Sequence, residues 1–164
     1  MHPRRNRPFA ALCALVCLSV ATLVQAADPF PEALLQKVEE LKTMAHVEKK
    51  ELPKKLEGVP VISATDAQKL WKAKKAVFLD TRVKNQYDTE KIPDAVWFLT
   101  DDLMNNPDLS NQLDKNKEYV LYCNGILCWR SPGAALLLKH QGFSKIHWLR
   151  EGLPEWKAKG YKTE

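Results

Sequence analysis

"EYVLYCNGILCWRSPGAALLLKHQ", residues 118–141, passes from a continuous apolar run through a two-cysteine loop into a segment of helical composition. The run at 119–123 shows no polar alternation, the pattern of a strand covered on both faces. Ser131 followed by Pro132 forms a cap-plus-first-turn pair for "GAALLLKHQ", and Gly142 closes that helix. Strand, loop and helix in succession make one βα unit.

The same alternation extends in both directions. Further short apolar runs fall at 59–63, 76–80, 95–98 and 145–149. Between them, "DAQKLWKAKK" is capped by Ser63 or Thr65 and "LPEWKAK" ends at Gly160. Strands alternating with helices indicate an α/β domain with a largely parallel sheet. The polar stretch "DDLMNNPDLSNQLDKNK", anchored by Leu103, Met104, Leu109 and Leu113, reads as loops and short helical turns covering an edge. Ahead of this, Leu34, Leu35, Val38, Leu41, Met44, Ala45 and Val47 recur at helical spacing from Pro31 to about Lys50. This is an amphipathic helix, which Pro53 stops. Its apolar pattern is too short for three heptads of coiled coil, so it is expected to pack on the domain.

The chain opens with Arg4, Arg5 and Arg7, then an uncharged apolar stretch from about 9 to 24, then Val24 and Ala26 at signal-peptidase spacing. This is the three-part pattern of a secretory signal peptide, and the stretch is shorter than the roughly 20 residues a spanning helix needs. The expected organisation is a signal peptide at 1–26, a helical extension at 27–57 and one domain at 58–164, located in the periplasm. Cys13 and Cys17 would leave with the signal. Without its three arginines the formal charge falls from +5 to about +2, with lysines and acids interspersed. No nucleic-acid stripe is present, and no membrane association is expected once the signal is cleaved.

In an open parallel sheet, reactive groups gather beyond the carboxyl ends of strands. Cys123 ends such a run, and the helix behind it directs backbone N–H groups and a positive dipole end toward the loop. At an ordinary pKa near 8.5 about 3% of a thiol is ionised at neutral pH; a downward shift of about two units raises this to roughly three quarters. That shift corresponds to about 2.7 kcal/mol, of which Arg130 would supply part.

Several pieces together resemble the rhodanese-like family. They are "LDTR" with Asp80 and Arg82, "KIPDAVWF" after Tyr87, the "YC…RS…AA" loop and helix, and "LREGLPEW…G". They lie in the family's order over about residues 59–161, and "CNGILCWRS" resembles an exported subset with a CNGxxCW(K/R)S loop. The resemblance implies an α/β fold around a five-stranded, mainly parallel sheet, here with an extra N-terminal helix. It implies that Cys123 takes a sulfane sulfur as a persulfide and passes it to a thiol acceptor. It also implies that the loop backbone of Asn124, Gly125, Ile126, Leu127, Cys128, Trp129 and Arg130 cradles the charged sulfur. Common active members have four residues between cysteine and arginine and related phosphatases five, whereas Asn124 to Trp129 make six. Where the family has "HIPGA", Lys91 and Asp94 stand in "KIPDA".

Cys128 admits three readings: a resolving thiol that exchanges with Cys123, a permanent structural bridge, or an unpaired buried residue. Closing so short a loop removes only about 2 kcal/mol of unfolded-chain entropy, little for a domain of this size. Two cysteines without nearby histidines do not make a closed zinc site, and neither metal nor cofactor is expected. Asp80 and Arg82 are expected to form a bracing ion pair. Trp129 either lines the pocket or covers the core, and Arg150 and Glu151 reach the rim. Trp148 and Trp156 are packing residues, and His140 and His147 are unconvincing as bases. Besides sulfur transfer, two alternatives stand: a thiol–disulfide protein cycling Cys123 and Cys128, and a non-catalytic module docking a protein partner on Ile126 and Trp129.

Overall fold

The computed structural model describes residues 30–164; the segment read as a signal peptide lies outside the described residues. Four parallel strands, β1 (Ala76–Asp80), β2 (Val96–Trp97), β3 (Glu118–Tyr122) and β4 (Ile146–Leu149), lie in the order β2-β1-β3-β4. Their alternating side chains feed two cores. Leu79, Tyr119, Leu121, Ile146 and Trp148 face one side, while Phe78, Val120, Tyr122 and Leu149 face the other. Both faces are covered, which is why the runs at 76–80 and 119–123 carry almost no polar residue.

On the first face lie α1 (Glu32–His46), α4 (Thr100–Asn105) and α5 (Arg130–His140). On the second lie α2 (Ala64–Lys72) and α6 (Gly152–Ala158), while α3 (Lys84–Thr89) follows β1. The helix read at 31–50 is therefore present but ends at His46. Val38, Leu41 and Ala45 seat it on the first core, and its charged residues face outward. Ser63 caps α2, its hydroxyl accepting from the Asp66 N–H at 3.1 Å.

Two expectations are corrected. The sheet has four strands, not five. The run at 59–63 makes only a parallel bridge from Val61 to Trp148, with the Trp148 N–H donating to Pro60 O at 2.8 Å and the Ile62 N–H to Trp148 O at 3.0 Å. Pro60 has no N–H to extend that ladder, and Ser63 already turns the chain into α2. Ser131 does not cap α5, which begins at Arg130 with Trp129 at the cap position; the Ser131 hydroxyl instead accepts from Trp148 Nε1 at 3.0 Å. The stretch at 101–117 forms the short helical turns expected, α4 and a 3₁₀ turn (Pro107–Gln112), with Leu103 in the first core and Met104, Leu109 and Leu113 packed against it.

Candidate active site

The loop between β3 and α5 is fixed at several points. Cys123 and Cys128 are joined as a disulfide with Cα atoms 6.1 Å apart, inside the usual range for bridged cysteines. Both are buried, at 1% and 6% exposure. The Cys128 N–H donates to Gly125 O at 3.0 Å, a turn that Gly125 makes at φ +95°. The Leu153 N–H donates to Cys123 O at 2.9 Å. Beneath the loop Gly152 adopts φ +61°, and a β-carbon there would lie 2.2 Å from Cys123 O. The glycine of "REGLPEW" is thus demanded by backbone packed against the cysteine loop.

A second strap comes from the segment after α1. The Leu52 N–H donates to Ile126 O at 2.9 Å. Arg150, at the end of β4, donates to Leu52 O at 2.6 Å and Pro53 O at 3.1 Å and pairs with Glu151 and Glu51. Arg150 was expected at the rim; it lies buried and anchors this strap.

Asp80 and Arg82 form the expected ion pair, buried at 0% and 4% side-chain exposure. Arg82 Nε and Nη2 reach both carboxylate oxygens, Nη2 also donates to Glu90 O at 2.6 Å, and Nη1 meets Asn124 Oδ1 at 3.4 Å. Burial opposes the guanidinium's charge, but the hydrogen bonds and charge of Asp80 outweigh it and hold the Arg82 pKa above its ordinary value. The Tyr122 hydroxyl donates to Asp80 Oδ2 at 2.7 Å and accepts from the Ile92 N–H. Burial first, and the Asp80 charge second, push that hydroxyl far up, so it stays a donor. Asn124 completes the corner by donating to Gln86 Oε1 at 2.9 Å. Tyr122, Gln86 and Gly152 were not singled out in the sequence.

Arg130, at the first turn of α5, is taken up by Asp101 of α4, with Nε 2.6 Å from Oδ2. Its guanidinium also lies 5.3 Å from the Trp129 ring centroid. Trp129 itself is 1% exposed beneath α1, edge-on to His46 and near Gly133. It covers the core, so the loop's outward apolar surface is Leu127, 46% exposed, beside half-buried Ile126. Among the described residues, the N–H groups of Asn124, Gly125, Ile126 and Leu127 have no protein acceptor. Next to the loop, Arg82, Glu90, Asn124, Leu153, Pro154 and Lys157 line a cleft of about 410 Å³. His147 pairs with Glu118 on the sheet, and no group of three metal-ligating side chains occurs among the described residues. No helix among them is long and apolar enough to cross a membrane.

Comparison with family models matches the rhodanese-like domain over residues 63–159, more than half of the chain. The chain belongs to the rhodanese-like family. Solved structures agree on the fold. A rhodanese-like domain from Anabaena is 27% identical, with a TM-score of 0.55 over 64% of this chain and 78% of its own. A Bacillus halodurans protein is 23% identical, with a TM-score of 0.59 over 64% and 76%. A Pseudomonas aeruginosa thiosulfate sulfurtransferase is 22% identical, with a TM-score of 0.57 over 77% of this chain and 22% of that longer chain. No curated protein matches. The rhodanese-like match begins at Ser63, after α1 and the strap at 51–53.

Proposed function

We propose that this protein is an exported, periplasmic rhodanese-like sulfurtransferase whose acceptor is Cys123, held in a disulfide with Cys128 until it is reduced. The observation that carries the reading is the position of Cys123. It follows directly on β3, at the carboxyl end of a parallel strand, in a loop that runs into the amino terminus of α5. Free loop N–H groups and a helix amino terminus favour a thiolate and a charged persulfide there.

Reduced Cys123 attacks the sulfane sulfur of a donor, forms the Cys123 Sγ–sulfane bond and expels the rest of the donor with its electron pair. A thiol acceptor then removes the sulfane sulfur. The Asp80–Arg82–Tyr122 corner positions Asn124 and stays out of the chemistry. Since Arg130 is neutralised by Asp101, a monoanionic donor suits this loop better than a dianion.

The test uses protein whose thiols are confirmed free. Benzenethiosulfonate, a monoanionic sulfane donor, and thiosulfate are each added, and the released sulfinate or sulfite is measured. Release that Cys123→Ser abolishes is expected. No release from either donor would overturn the proposal.

A further inference from the structure

We propose that Cys128 discharges the persulfide, so that the protein releases sulfane sulfur as hydrosulfide and closes as the Cys123–Cys128 disulfide. This deepens the sulfurtransferase reading and rests on it. Three observations carry it. First, the two cysteines are bonded in this fold at a Cα separation of 6.1 Å, so Cys128 Sγ reaches Cys123 Sγ without backbone movement. The position is preorganised: the Cys128 N–H is held by Gly125 O, and Trp129, the next residue, is anchored in the core. An intramolecular nucleophile so placed acts at an effective concentration no free thiol attains.

Second, access favours the internal thiol. Once a donor has reached Cys123, Cys128 is already inside the loop strapped by Leu52 and Leu153, so its attack needs no second molecule to enter. Third, the loop's single cation is spent on Asp101. A persulfide anion here has backbone dipoles but no free guanidinium to hold it, which suits a species turned over rather than stored.

The step balances as follows. The Cys128 thiol attacks Cys123 Sγ, the inner sulfur of the persulfide anion, and its proton passes to the departing sulfane sulfur. The Cys128–Cys123 sulfur–sulfur bond forms, the bond from Cys123 to the sulfane sulfur breaks, and that sulfur leaves with the electron pair as hydrosulfide. The two cysteines are together oxidised by two electrons, and the sulfane sulfur is reduced to sulfide. Hydrosulfide is a weaker base than a cysteine thiolate and so the better leaving group. A dithiol, small or carried on a protein, then reduces the bridge and opens the next cycle.

The deciding experiment is a single turnover of pre-reduced, desalted protein with benzenethiosulfonate and no added thiol, following sulfinate, hydrosulfide and intact mass. Wild type is expected to release both products and to end lighter by two hydrogens. Cys128→Ser and Cys128→Ala are expected to release sulfinate, keep one added sulfur, and yield hydrosulfide lower by about tenfold or more. If wild type keeps the added sulfur as both variants do, and releases no hydrosulfide until a thiol is supplied, the inference is overturned. Absence of sulfinate from wild type and variants alike would instead bring down the sulfurtransferase reading beneath it.

Discussion

Two strand-end loops meet at this site, and they are built on opposite plans. The loop after β1 is held by charge: Asp80, Arg82 and the Tyr122 hydroxyl close on one another in a buried network. The loop after β3 is held by backbone and sulfur: the Cys123–Cys128 bridge, the hydrogen bonds from Leu52 and Leu153, and the close approach of Gly152. Each loop has an arginine in it or at its end, and each arginine is paired with an aspartate, Arg82 with Asp80 and Arg130, the first residue of α5, with Asp101. What remains available around Cys123 is therefore a pair of sulfurs and a set of N–H groups rather than a cationic pocket. The first loop makes a frame; the second is where the proposed function puts the chemistry.

The largest effect expected from separating these roles is on stability. Asp80→Asn leaves Arg82 buried without its partner and should cost about 3–5 kcal/mol in denaturant unfolding. Sulfane-donor turnover by the fraction that remains folded should be retained. Arg150→Met removes charged donors from Leu52 O and Pro53 O and loosens the strap over the loop, at about 3 kcal/mol by the same measurement. Gly152→Ala forces a β-carbon against Cys123 O from a left-handed backbone, and roughly 2 kcal/mol or more is expected. Unlike Asp80→Asn, it should also slow sulfinate release, because the displaced carbonyl belongs to the nucleophile itself.

Smaller effects sharpen the electrostatic side of the contrast. Asp101→Asn frees Arg130 and should raise the rate with thiosulfate relative to benzenethiosulfonate by up to about fivefold, the equivalent of ~1 kcal/mol for a half-exposed pair. An unchanged ratio would mean that Arg130 does not meet the donor. Glu90 lies near the frame, its carboxyl held below the ordinary value by hydrogen bonds from Lys157 and Thr163. A depressed carboxylate contributes stability above its unfolded pKa and loses it as pH falls through the folded value. Glu90→Gln should therefore lower stability slightly at neutral pH and leave it unchanged at acid pH, which flattens the acid limb of the stability curve.

The sequence was most legible where one local rule decided the outcome. The run at 76–80 is β1 to the residue, because apolar continuity is bounded by lysines on one side and by Thr81 on the other. The bracing role of Asp80 and Arg82 followed from their place at a strand end. Legibility failed where a distant residue intervened. Arg130 looks like a free cation until Asp101, from another helix, is placed beside it. Trp129 looks like a loop-tip side chain until α1 is laid over it. Ser131 has the chemistry of a cap, but Trp148 claims its hydroxyl. Pro60 and Ser63 in "VPVIS" do carry the signal that shortens the fifth strand, and the apolar run outweighed it.

In the proposed function the Cys123–Cys128 bridge switches the loop between an inert and an accepting state. The direct measurement takes one preparation, half oxidised and half reduced with both thiols counted, and compares sulfinate release from benzenethiosulfonate. Stoichiometric release from the reduced half and none from the oxidised half is predicted. Equal release from both halves would contradict the claim.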